Sequence, residues 1–311
     1  MISAEMPTRI VGDLGPAAFV RLLRGEGVGV RLGPFDVRLR SGVAAIEEPL
    51  FRLYRDYSLL DGERVFNIHL ALARPSSWSR QVRLLIDGRA PHADLPVGQA
   101  LPVLEWGLNL AVALRSHSWL MLHSAAVERA GKVMLFPAWP GAGKTTLCAG
   151  LVHRGWRLFS DEFGLIRLRT REAVPLPRPM PLKNASIEVI RSFAPEAELG
   201  PTIPKTRKGT IAHVKPPAAS IRNAHVAAPV RWIVFPQWTA GANLALEETA
   251  RVEAFMTLAA NAFNYEMLGE DAFAAVGDLV ATARCFRLQY SNLEEAVALL
   301  GNLVDRDDAR R

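Results

Sequence analysis

The sequence predicts an α/β fold, with a small β-rich N-terminal domain over residues 1–98 and a larger domain over 99–311 in which strands and helices alternate. Three observations carry this expectation. Short β-favouring stretches separated by turn residues fill Gly27 to Asp87. A glycine-rich segment at 138–146 stands between an apolar strand and a helical pattern. The last third of the chain shows helical periodicity around one late strand. At 311 residues, 50% hydrophobic and 22% charged, the chain suits one large or two moderate domains with ordinary cores.

In chain order, the expected N-terminal strands are Gly29 to Leu32, Phe35 to Leu39, Leu50 to Tyr57, Val65 to Ala73 and Val82 to Ile86. Arg31, Arg38, Arg40, Arg52 and Arg55 fall largely between apolar residues, as one face of a half-exposed sheet would place them. Gly88, Pro91, Pro96 and Gly98 mark a loop and a boundary near residue 98. Ala100 to Ser116 has helical spacing, and Trp119 to Glu128 and Lys132 to Phe136 read as a hairpin or adjacent strands. Thr145 to His153 suits a helix, with strands at Arg157 to Ser160 and Phe163 to Arg169. The proline-rich run from Pro175 to Pro217 predicts sparse regular structure apart from Ser186 to Phe193. Strands at Val230 to Pro236, Asn243 to Glu248 and Cys285 to Tyr290 alternate with helices at Val252 to Ala262, Asp271 to Ala283 and Leu293 to Leu300.

Composition narrows the function classes. Two cysteines, Cys148 and Cys285, are too few for a disulfide framework or a four-ligand zinc site, and predict a reducing, cytoplasmic setting. Glu5, Arg9 and Asp13 interrupt the start where a secretory leader needs an apolar run. Leu101 to Val127 is broken by Glu105, Arg115, His117 and His123, so no membrane span is expected. The net charge of +6 comes from dispersed arginines without a basic helix or tail, which argues against a nucleic-acid partner.

The chemistry begins at Ala138-Trp139-Pro140-Gly141-Ala142-Gly143-Lys144-Thr145-Thr146. Apart from Ala138 at the first glycine position, this fits the phosphate-binding P-loop pattern. Small residues let successive N–H groups turn toward a β-phosphate, Lys144 would span the β and γ phosphates, and Thr145 would offer a hydroxyl to magnesium. The helix that follows aims its positive end at the same anion. ATP and Mg²⁺ are therefore the expected cofactors. Asp161 and Glu162, at the end of the next short strand, are candidates for one to hold the metal and the other to accept a proton. His123, on the strand before the loop, is a candidate to contact the carboxylate or a phosphate, although a satisfied core histidine is the alternative.

A basic segment between Pro201 and Asn223 carries Lys205, Arg207, Lys208, Lys215 and Arg222 without a carboxylate. Arg207, Lys208 and Lys215 are expected to engage phosphate or substrate from a mobile loop, with Arg178, Lys183 and Asn184 as weaker candidates. Cys148, Tyr265, Trp156 and Trp238 read as packing residues.

The order of His123, a strand pair, the loop at 138–146 and Asp161-Glu162 resembles the catalytic core of HPr kinase/phosphorylase. Leu122-His123-Ser124-Ala125, Asp161-Glu162-Phe163-Gly164, Pro181-Leu182-Lys183-Asn184 and Lys208-Gly209-Thr210 resemble more narrowly the HPr kinase-related kinase A group. The resemblance spans about residues 100–300. It implies a P-loop kinase core of the type shared with phosphoenolpyruvate carboxykinase, acting on a serine hydroxyl of a protein or peptide, and a homo-oligomer. The family's first acidic residue, the proton acceptor, maps to Asp161, while Glu162 replaces its second aspartate. Its downstream glycine-rich signature, associated with phosphorolysis, has no counterpart in this chain. Two other readings stay open: an ATP-binding regulator without transfer activity, and a small-molecule kinase.

Overall fold

The computed structural model describes residues 9–60 and 64–309, a mixed α/β chain with several sheets. Residues 1–8, on which part of the leader reading rests, lie outside the described residues. The N-terminal part runs α1 (Gly15–Arg24), β1 (Val28–Leu32), β2 (Phe35–Ser41), α2 (Glu47–Tyr54), β3 (Ile68–Ala73), β4 (Gln81–Ile86), β5 (Leu95–Pro96) and α3 (Ala100–Ala113). Its strands form one sheet in the order β1-β2-β3-β4-β5. On β2, Phe35, Val37 and Leu39 turn inward while Arg38 and Arg40 stay on the opposite face, the period of two that a half-buried sheet imposes.

Leu50 to Tyr57, expected as a strand, is instead the body of α2 and the turn after it. Glu47 and Glu48 suit the positive end of a helix, Pro49 is tolerated in the first turn, and Leu50, Leu53 and Tyr54 form one buried stripe. Arg52 and Arg55 are therefore helix and turn residues, not sheet residues. A second helix in this β-rich stretch, α1, starts at Gly15-Pro16 and buries Phe19 and Leu23 one turn apart. Its core is shared with α3, whose Leu101, Leu104, Leu108 and Val112 join the same hydrophobic cluster as the N-terminal strands. Gly107 permits that approach, because a Cβ there would lie 2.6 Å from Leu84 Cδ1.

The rest of the chain adds β6 (Trp119–Arg129), β7 (Lys132–Pro137), α4 (Lys144–Val152), β8 (Arg157–Ser160), β9 (Phe163–Arg167), β10 (Glu172–Val174), β11 (Met180–Lys183), α5 (Ala185–Phe193), β12 (Ile203–Thr206), β13 (Gly209–Val214), α6 (Ala218–Arg222), β14 (Ala228–Trp238), β15 (Ala245–Glu248), α7 (Arg251–Ala260), α8 (Tyr265–Leu268), α9 (Glu270–Thr282), β16 (Arg284–Tyr290) and α10 (Leu293–Ala309). The main sheet has the order β10-β9-β6-β7-β14-β16-β15, with β8 paired to β6. Alternate residues of β7 face two cores. Met134 and Phe136 join α4, α5 and α10, whereas Val133 and Leu135 join α7 and α9, so helices cover both faces.

The proline-rich run is more regular than expected: β11, β13 and β12 form a separate antiparallel sheet. Pro181 and Pro204 sit on its two outer strands, where a missing N–H need not break the ladder.

Candidate active site

The site lies where β7 ends and α4 begins. Residues 138–143 connect them, with Gly141 and Gly143 at positive φ (94° and 85°), a conformation that side chains resist. Gly143 is also pressed from behind, since a Cβ there would fall 2.4 Å from Tyr290 Oη. Lys144 is the first residue of α4 and is buried, yet its ammonium has no hydrogen-bond partner. Burial lowers its pKa, and the nearby Asp161 and Glu162 carboxylates raise it.

Those two carboxylates occupy the tight turn between β8 and β9, which the Ser160 hydroxyl fixes by accepting the Phe163 N–H at 3.1 Å. Asp161 is buried and neither of its oxygens has a partner of good hydrogen-bond geometry. Burial, then repulsion from Glu162, raises its pKa to about 7, while Lys144 and the Thr145 hydroxyl pull it down. His123 stands opposite Phe163 in the β6–β9 ladder, with Nε2 3.9 Å from Glu162 Oε2. Burial and the Lys144 charge lower its pKa to about 4, so the ring is neutral near pH 7. Phe263 packs on the same ring at 5.4 Å between centroids.

The three-stranded sheet brings cations to this group. Lys183 acts electrostatically on His123, Lys144 and Asp161, and Lys208 acts on His123. Asn184 joins the strands that carry them: it has φ 51°, and its side-chain oxygen accepts the Thr210 N–H at 3.0 Å. The hairpin between β12 and β13 lies on α3, where Arg207 Cζ is 4.9 Å and Lys208 Nζ 5.7 Å from the Trp106 ring centre. Gln99 Nε2 also donates to the Lys205 carbonyl at 2.9 Å. The basic segment is thus an anchored hairpin.

Lys215 departs from expectation. It is buried, its ammonium pairs with Asp56 and lies 3.6 Å from Glu198, and it therefore ties β13 to the N-terminal part instead of serving phosphate. Lys215→Ala should consequently reduce stability to urea by about 1–3 kcal/mol, less than a fully buried pair because Asp56 and Glu198 reach solvent. An unchanged unfolding midpoint would contradict this placement. Arg178, a weaker phosphate candidate, is likewise occupied: it donates to Glu105 Oε2 at 2.6 Å and to Asn109.

Several residues of the site region escaped the sequence reading. Glu105, Trp106 and Asn109 of α3 line a small cavity with Asp161, Glu162, Arg178 and His213. His213 is buried with neither ring nitrogen partnered. A polar Glu105 within an apolar helix was the signal available for this cluster. Trp238, read as core, is instead 49% exposed beside the glycine-rich loop. Cys148 is a buried packing residue of α4, as expected, with burial holding its thiol neutral.

No protein-family model matches the chain, and no curated protein matches it. Among solved structures, it has a weak fold-level likeness to the Hpr(Ser) kinase/phosphatase from Coxiella burnetii, at 11% identity and a TM-score of 0.27 over 61% of this chain and 97% of that one. With values that low, the functional reading rests on the side chains of this chain alone. Among the described residues, no helix is long and apolar enough to cross a membrane.

Proposed function

We propose that residues 138–146 form a P-loop and that the protein is an ATP-dependent kinase transferring the γ-phosphoryl group to a serine hydroxyl of a protein or peptide. The observation that carries this reading is a buried Lys144 ammonium without a hydrogen-bond partner at a loop–helix junction, within electrostatic reach of the buried Asp161 carboxylate. Orphaned buried charges are costly unless a ligand completes them. A triphosphate would meet Lys144, the loop N–H groups and the start of α4, and Mg²⁺ fits Thr145 with Glu162 or Asp161, because magnesium commonly takes one or two carboxylates beside phosphate oxygens. Among the described residues there is no cluster of three or more His, Cys, Asp or Glu suited to a metal, so phosphate would complete that coordination.

When bound, magnesium neutralises phosphate charge. Asp161 accepts the hydroxyl proton of the acceptor, and a base with a pKa near 7 is well matched to that task at neutral pH. Lys183 and Lys208 stabilise charge on the transferred group, while His123, neutral near pH 7, stands beside Glu162 at 3.9 Å and would meet a phosphate or the acceptor as a neutral ring.

ATP with magnesium should stabilise the protein by about 2.7 kcal/mol at a hundredfold excess over Kd, and Lys144→Ala should remove most of that gain. Absence of any thermal shift in the folded wild type would refute the P-loop reading. Labelled ATP incubated with lysate should give a phosphoserine product, whereas ATP binding without any labelled product would favour the regulator.

A further inference from the structure

We infer that the Trp238 indole is the platform on which the base of the bound nucleoside triphosphate stacks, an inference that rests on the P-loop reading. Strands β7, β14 and β16 run parallel, so their carboxyl ends bring the glycine-rich loop, Trp238 and Tyr290 to one edge of the sheet. Ligands of parallel α/β sheets bind at that edge. Trp238 and Tyr290 are register partners there, and both touch the loop. The Trp238 N–H donates to the Ala142 carbonyl at 3.1 Å, and Tyr290 Oη donates to the Gly143 carbonyl at 3.1 Å. A Cβ on Gly143 would come 2.8 Å from Trp238 Cβ, so glycine is what lets the loop lie against this wall.

The indole is held at its far end as well, because Nε1 donates to the Ser291 carbonyl at 3.1 Å. It nevertheless leaves about half of its surface in water, at 49% exposure. A large aromatic ring fixed at backbone and at ring nitrogen has already lost its rotational freedom, so stacking on its face incurs little further ordering cost. Its one donor is used, which leaves the π face as the recognition element. A planar base on a ligand whose phosphates occupy the adjacent loop matches that chemistry. Trp139, also exposed at 61%, lies within the loop and provides the comparison.

The test is calorimetric titration of the full chain with ATP and with inorganic tripolyphosphate, both with magnesium. Trp238→Ala should weaken ATP binding by about tenfold or more. The same variant should leave tripolyphosphate binding within about twofold, and Trp238→Phe should restore most ATP affinity because the stacking face remains. Wild-type ATP affinity in Trp238→Ala overturns the inference, as does equal weakening of both ligands, or a loss confined to Trp139→Ala. In each of those cases the wild type still binds phosphate and the P-loop reading survives. Wild type that binds neither ligand overturns both.

Discussion

Asp161→Asn should lower phosphoryl transfer by about a hundredfold or more and, in the nucleotide-free protein, raise stability above neutral pH. The two effects have one cause. Burial, followed by repulsion from Glu162, raises the Asp161 pKa from 3.8 to about 7, so the folded state holds the proton more tightly than the unfolded chain does. Ionisation therefore costs the folded state nothing below about pH 4, an increasing amount as pH rises to about 7, and its full amount above that. Asparagine keeps the shape and never ionises. Because the rise to about 7 already contains the attraction to Lys144, the variant should gain up to about 4 kcal/mol at pH 8 and nothing near pH 4. Melting curves across that range, with transfer assays at pH 8, test both halves. Equal stability at pH 8 would contradict the buried, uncompensated carboxylate, and wild-type transfer would remove Asp161 as the base.

The parts of the fold written in local sequence were the most legible. Val133 to Phe136, the glycines at 141 and 143, and the apolar run from Leu147 to Val152 each announce a strand, a turn and a helix within a few residues, and the chain forms β7, a loop and α4 there. The strand expected over Leu50 to Tyr57 follows β-favouring composition, whereas Leu50, Leu53, Tyr54 and Tyr57 recur at helical spacing and burial of that stripe makes the segment α2 and its turn. Lys215 departs from its expected role for a different reason. Its neutralising partners, Asp56 and Glu198, come from outside the basic segment, so a window without carboxylates gave no warning of them. A tryptophan ending an apolar strand is usually well buried, whereas β14 runs past the core and delivers Trp238 to the sheet edge.

The largest expected loss of stability lies beneath the site, at Glu105. Its carboxylate, on α3, accepts from the Tyr54 hydroxyl at 2.7 Å and from Arg178 Nη2 at 2.6 Å, with both charged side chains less than a tenth exposed. Removing one member strands the other in a low-dielectric interior. Glu105→Ala should therefore cost about 3–5 kcal/mol in urea unfolding, whereas Tyr54→Phe, which deletes one neutral donor, should cost about 1 kcal/mol. Because desolvation offsets much of the attraction in the intact pair, replacing both ends with methionine should recover most of the loss. A double variant as unstable as Glu105→Ala would mean that the network contributes more than charge neutralisation. Arg178 precedes β11, which carries Lys183 to the site, so Glu105→Ala should also weaken ATP binding under conditions where it remains folded. Unaltered ATP affinity in the folded variant would show that β11 holds its place without this support, and a loss below about 1 kcal/mol would contradict the buried pair itself.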